Sequence, residues 1–168
     1  MTQMEVLGVR VELPTNQPIV LLKERGGRRH LPIWVGAAEA SAIAFAQQGI
    51  VPPRPLTHDL LVTVIGELGH RLTEVRITGL IDGAFHAVLV IRDAAGRPRT
   101  IDSRSSDAIA LAVRTGVPVE ADEALLTEVG IVMDDPEAPA PSAPSEDVLA
   151  EFKEFLDTIT PEDFGAEG

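Results

Sequence analysis

The chain contains no cysteine and no tyrosine, and its one tryptophan is Trp34. Without thiols it can build neither a disulfide framework nor a thiolate zinc site, so any metal must be held by carboxylates, histidines or water. At 4% aromatic residues it also lacks the stacking platform typical of single-strand binders. No stretch approaches the roughly 20 apolar residues of a membrane-spanning helix. The start, MTQMEVLGVRVELP, has charged residues but no apolar run of the signal-peptide kind, so neither a signal peptide nor a membrane anchor is expected. Together these absences predict a soluble protein of the reducing cytoplasm. Familiar catalytic signatures are missing too: there is no G-x-S-x-G elbow, no G-x-x-x-x-G-K phosphate loop and no H-E-x-x-H pair.

What is present suffices for a core. The 168 residues are 45% hydrophobic, enough for one ordinary domain with an appendage. The formal net charge of −12 argues against a nucleic-acid ligand, since phosphate binding draws on a basic surface. Its distribution weakens that argument. Residues 1–133 hold 15 acids and 13 bases, whereas residues 134–168 hold 11 acids and the single base Lys153. The acidity therefore belongs to the tail, and the near-neutral body can carry a local basic patch. Arg25, Arg28, Arg29 and His30 form the densest cluster, as a patch or as a solvated hairpin tip.

Alternation of apolar residues predicts three strands in the first 35 residues, around Val9–Leu13, Ile19–Leu22 and Leu31–Val35, with turns at Pro14-Thr15-Asn16 and Arg25–Arg28. An alanine-rich helix follows from about Ala37 to Gln48, with Gly36 as N-cap and Gly49 past its end. A second starts at Thr57, and its Leu60, Leu61, Val64, Ile65 and Leu68 keep the helical period. After Gly69 the order recurs: strands from Leu72, from Phe85 and up to Ile101, a tight Asp82-Gly83 turn, a helix from Ser105 or Ser106 to Thr115, and a short helix capped by Asp122.

A shift of 66 residues lays Ala42-Ile43-Ala44 on Ala108-Ile109-Ala110 and Val51-Pro52 on Val117-Pro118, which suggests an internal duplication. The expected fold is α+β: two βββαα units, at 4–68 and 70–130, packed together in one domain over 1–133. Chance matching of alanine-rich helices is the competing explanation. An uncovered sheet edge would favour a homodimer. Beyond Met133 the Pro/Ala-rich stretch 134–145 is expected to be a linker. Residues 146–168 are expected to form an acidic amphipathic helix that docks on the body or on a protein partner, with Val148, Leu149, Phe152, Phe155, Leu156 and Ile159 as its stripe.

Three segments, LPIWVGAAEASAI at 31–43, PPRPLTHDLL at 52–61 and IDSRSSDAIALA at 101–112, in this order resemble the bifunctional nuclease family of small bacterial and plant proteins. With the strand blocks, the resemblance covers residue 4 to about 133. It implies a compact, dimeric α+β domain with nuclease activity on both DNA and RNA, and fixes no settled set of catalytic residues. One departure stands out: the third segment of the family commonly reads Arg-Pro-Ser-Asp, and here it reads Arg104-Ser105-Ser106-Asp107. That loses rigidity at a helix start but no reactive group.

Phosphodiester hydrolysis needs an activated water, neutralised phosphoryl oxygens and help for the leaving oxygen. Mg²⁺ or Mn²⁺ on carboxylates can supply all three. Polar positions that differ between the two halves are the natural candidates. His58 is a candidate general acid or base, and its neighbour Asp59 a metal ligand, an orienting group, or merely an acid suited to a helix start. Arg54, in a proline-stiffened loop, is a phosphate clamp or an ordinary surface arginine. Asp102, Arg104 and Asp107 form a candidate phosphate or metal corner where strand gives way to helix. Metal binding is thus assigned to Asp59, Asp102 and Asp107. Glu39 is favoured as a capping acid over a metal ligand. Trp34 is expected to face solvent, a partner or a base, and His70 and His86 are given no role. The competing function is a non-enzymatic dimeric binding or regulatory module, with a small-anion pocket or partner interface at these positions.

Overall fold

The computed structural model describes residues 1–133, so the expected linker at 134–145 and acidic helix at 146–168 lie outside the described residues. The described chain is mixed α+β. Its strands are β1 (Thr2–Glu12), β2 (Gln17–Glu24), β3 (Arg29–Trp34), β4 (His70–Ile81), β5 (Ala84–Asp93), β6 (Pro98–Arg104), β7 (Val119–Ala121) and β8 (Ile131–Val132). Its helices are α1 (Ala37–Gln47), α2 (Thr57–Glu67), α3 (Ser105–Thr115) and α4 (Glu123–Val129). All eight strands join one sheet in the order β6-β5-β4-β7-β1-β2-β3-β8.

Local chemistry explains most of the boundaries. The two-residue turn between β4 and β5 places Asp82 at φ 50° and Gly83 at φ 78°, a left-handed pair that suits the twist of a tight hairpin. The turn into β6 is held by Asp93, whose Oδ1 accepts from the amides of Ala95 and Arg97, each at 2.9 Å. Gly116 ends α3 at φ 70°, where a side chain would be strained. Asp122 caps α4 by accepting from the Ala124 amide at 2.8 Å.

The order strand-strand-strand-helix-helix does recur, with β7 inserted between α3 and α4. The halves do not stack on each other as separate units. β7 runs antiparallel to β1 and parallel to β4, so they meet edge to edge in one continuous sheet. The spacing between corresponding elements scatters from the expected 66 upward. α1 and α3 are both 11 residues long and start 68 apart, at Ala37 and Ser105. The first hairpins of the two halves, closed by Glu12 with Gln17 and by Ile81 with Ala84, are centred 68 residues apart as well. α2 and α4 start 66 apart, at Thr57 and Glu123.

α1 and α3 pack against each other, α1 on β1 and β2, and α3 on β4 and β5. α4 touches both β3 and β4, which are four places apart in the sheet. The sheet and its helices share one core. Fully buried Val20, Leu22, Leu31, Ile33, Ile43, Val75, Ile77, Ile109, Leu111 and Leu126 form its centre. Each such leucine or isoleucine contributes roughly 1.5–3 kcal/mol by leaving water.

Of the periodic residues of α2 only Ile65 is buried, whereas Leu60, Leu61, Val64 and Leu68 are exposed. The helix is rotated so that His58, Val62 and Ile65 face the body, for a polar reason given below. At the arginine-rich hairpin tip Arg25 and Arg28 are exposed, whereas the other two members are engaged. Arg29 pairs with Glu24 at 2.7 Å and Glu123 at 2.6 Å, and His30 is buried with Nδ1 3.0 Å from the Arg28 carbonyl oxygen. Trp34 is half exposed, as alternation predicts, and its Nε1 donates to Glu12 at 3.0 Å.

Candidate active site

The first turns of α1, α2 and α3 meet. Each carries an acid, Glu39, Asp59 and Asp107 respectively, in the position that complements the amide dipoles of a helix start. α2 adds His58 and the β6–α3 junction adds Arg104. The strand runs directly into the helix there: Arg104 is the N-cap of α3, in extended conformation, and Ser105 and Ser106 behind it are buried. Only the arginine side chain can turn outward.

His58 Nε2 lies 2.9 Å from Asp107 Oδ1. Arg104 grips the same carboxylate twice, Nε to Oδ2 at 2.7 Å and Nη2 to Oδ1 at 3.1 Å, and its Nη2 also reaches Glu39 Oε1 at 2.7 Å. His58, Asp107 and Glu39 are largely enclosed, with side chains 12%, 27% and 17% exposed, whereas Arg104 is 67% exposed. The cluster thus presents a cation to solvent with its counter-charges behind it. Nη1 of Arg104 bonds to no other described residue, so its donors stay open to an anion.

Burial alone would raise the Asp107 carboxyl. Hydrogen bonds from Arg104 and His58, with the charges of both, outweigh it and hold Asp107 below the usual carboxylate range. Arg104 is in turn held firmly charged, first by its bond to Asp107 and then by Asp107's charge and by Glu39. An ionised carboxylate only accepts. Nε2 of His58 therefore carries the proton of that contact, and in the neutral ring Nδ1 keeps the lone pair.

Asp59 does not join this cluster. It turns the other way, with Oδ1 accepting from Arg114 Nε at 2.7 Å and Oδ2 from the Leu56 amide at 2.9 Å. Leu56, rather than Thr57, is the N-cap of α2. Asp102, exposed on β6, and Arg54, exposed in the loop before α2, form no side-chain bond with described residues. The proposed grouping of Asp59, Asp102 and Asp107 is therefore not found: the described residues contain no cluster of three histidines or acids arranged to hold an ion. The oxygens of Asp59 and Asp107 are committed to arginine, imidazole or backbone amide, and Glu39 Oε1 to Arg104, so this donor set as placed does not fit a divalent metal. Glu39 sits beside the N-cap Gly36, but the bond its carboxylate makes among the described residues is to Arg104.

Sequence reasoning passed over Arg114. It lies seven residues after Asp107 on α3, two turns along the same face, whereas its partner Asp59 directly follows His58 on α2, so the first turn of α2 is tied to both ends of α3.

No described helix is long and apolar enough to cross a membrane. The bifunctional nuclease domain family matches residues 20–134. An uncharacterized protein of Mycobacterium tuberculosis is 48% identical over 167 residues, 99% of both chains. Bifunctional nuclease 1 of Oryza sativa subsp. indica is 29% identical over 128 residues, which are 75% of this chain and 38% of the plant protein. Bifunctional nuclease 2 of Arabidopsis thaliana is 28% identical over 142 residues, 82% of this chain and 43% of its own. With its helix starts, its strand-to-helix corner and most of its length inside the matched region, the chain belongs to the bifunctional nuclease domain family.

Proposed function

We propose that this chain is a nuclease that hydrolyses phosphodiester bonds in DNA and RNA, with His58 as its acid–base group, Asp107 as the carboxylate that orients it and Arg104 on the phosphate. The observation that carries this reading is the sharing of one carboxylate, Asp107, by an imidazole and an outward-facing guanidinium. Nδ1 of His58 takes a proton from the attacking water as its oxygen bonds to phosphorus. The phosphorus–oxygen bond to the leaving sugar breaks, and the imidazolium returns the proton to that oxygen. Arg104 neutralises charge gathering on the phosphoryl oxygens. In RNA the 2′-hydroxyl can replace water as the proton source. In this reading Arg54 is a second contact to the phosphates and Asp102 an acid near the attacking water. The two halves are copies of one unit in this reading, with chemistry where they differ, and the active species is a homodimer.

The test uses purified full-length protein and labelled single- and double-stranded DNA and RNA, with Mg²⁺, with Mn²⁺ and with chelator. His58→Ala should lower cleavage by roughly 10²- to 10⁴-fold. Cleavage unchanged in that variant sinks the assignment, and the chelator arm decides whether a divalent ion takes part. A second reading is favoured by one observation: Arg104 is already shared by two carboxylates, which suits binding better than tight phosphate capture. A non-enzymatic dimeric binding module would retain nucleic acid or a small anion at low salt without turning it over.

A further inference from the structure

α2 carries the histidine of the proposed site, yet apolar packing does little to hold it. Of its 11 residues only Ile65 is buried, and Leu60, Leu61, Val64 and Leu68 face outward. Two polar links tie it to α3. One is His58 on Asp107, at the start of α3. The other is Asp59 on Arg114, in the last turn of α3, about 10 Å further along the axis. Arg114 is only 10% exposed, and its Nη1 donates to the Ala110 carbonyl oxygen at 3.0 Å, so the guanidinium is itself fixed. The second oxygen of Asp59 accepts from the Leu56 amide, the first orphan donor of α2. A fixed arginine therefore holds an aspartate, and that aspartate holds the backbone at the turn from which His58 projects.

We infer that Arg114 is a positioning residue for His58: acting through Asp59, it sets the rotation and axial placement of the first turn of α2, so that the imidazole meets Asp107. This rests on the nuclease reading for its consequence in catalysis, but not for its geometry. It explains why the apolar stripe of α2 stays uncovered: two bonds at fixed spacing on α3 select the face that turns inward. It also gives Asp59 a role other than metal ligand. Asp59 is held below the usual carboxylate range because the bonds from Arg114 and Leu56, with the charges of Arg114 and His58, outweigh a burial that would raise it.

The experiment compares full-length wild type with Arg114→Met, Arg114→Lys and Asp59→Asn, reading kcat and KM separately on a labelled oligonucleotide. A second readout is the downfield imidazole N–H resonance of His58, which reports its bond to Asp107 with no turnover required. A misplacement of about 1 Å is worth on the order of 100-fold. Arg114→Met should therefore lower kcat by about that factor with KM nearly unchanged, and should broaden or shift the resonance. Arg114→Lys, which keeps a charge for Asp59, should restore part of both. If Arg114→Met does not fold, Asp59→Asn serves, since it keeps an acceptor for Leu56 but removes the charged partner of Arg114. A lower melting temperature with kcat and the resonance unchanged would overturn the inference and leave Arg114 a structural ion pair. Absence of cleavage by wild type would defeat the nuclease reading alone, because the resonance would still decide whether Arg114 places His58.

Discussion

α1 and α3 have the same length, start after the third strand of their halves and carry an acid at the third helical position, yet they do different work. α1 begins at Gly36 and buries only Ala40, Ala42 and Ile43. α3 begins at Arg104 and buries seven of its 11 residues, Ser105, Ser106 and Ala108 to Ala112. The acids of both helices, Glu39 and Asp107, converge on the one cation that only the second helix brings. Packing is what the two helices share, and they differ in charge at their starts, with a glycine in one and an arginine in the other. α3 is thus both the most buried helix and the one that meets His58.

The sharpest way to break this comparison is to neutralise the two acids in turn. Asp107→Asn leaves the shape intact but replaces an acceptor-only carboxylate with an amide, which no longer dictates which ring nitrogen of His58 carries the proton. In a serine protease triad that change costs about 10⁴-fold in kcat, and a loss approaching it is expected here. Glu39→Gln removes only the second partner of Arg104 and should cost far less. Equal losses, measured as kcat on the same oligonucleotide, would mean that the corner works symmetrically and that Asp107 has no special tie to His58.

The buried faces offer the next largest effect. Ile43 and Leu111 occupy the same place in their helices and are both fully buried. Truncating either to alanine should cost roughly 2–5 kcal/mol in urea unfolding. Leu60→Ala, on the exposed face of α2, should stay within about 0.5 kcal/mol. A cost for Leu60 comparable to that for Ile43 would show that α2 is covered in solution, by another copy for instance.

How much of this could be read from the residues alone depended on the range of the interactions. Helix limits set by local chemistry were legible: Gly36 and Gly116 bound α1 and α3, Asp122 caps α4, and Asp82-Gly83 makes its turn. So was the family, from three segments that all lie at helix starts. β7 and β8, three and two residues long, were not, because their pairing with β1, β4 and β3 has no local signal. The rotation of α2 was not legible, because the period of Leu60, Val64 and Leu68 is real but does not say which way it faces. Of the candidate residues, His58, Arg104 and Asp107 are bonded to one another. Asp59 separates from them because Arg114, 55 residues away, competes for it.

Acid gives a smaller effect with a definite sign. Asp59 and Asp107 both titrate below their ordinary value of 3.8 in the folded protein. The unfolded chain therefore takes up their protons first on acidification. Their contribution to stability is complete above pH 3.8 and is lost as pH falls through the lower folded values. Urea unfolding at pH 6 and at pH 3 should show wild type losing more stability than Asp59→Asn or Asp107→Asn. Identical losses would mean that the links from α2 to α3 do not persist in solution.

The smallest expected effect tests the glycine side of the comparison. A Cβ at Gly36 would run into Glu39 Oε2, too close to remain, but the atom it meets is the end of a flexible side chain. Gly36→Ala should therefore push the Glu39 carboxylate aside rather than distort α1. Alanine is a poorer N-cap than glycine, while the less flexible unfolded chain offsets this by about 0.4–1 kcal/mol. The melting temperature should stay within about 4 °C of wild type. Arg104 would keep Asp107 and lose Glu39, so inorganic phosphate should bind somewhat more tightly at low salt. A drop in melting temperature well beyond that range would mean that Glu39 cannot yield, and that the α1 corner is built as tightly as the α3 corner it was contrasted with.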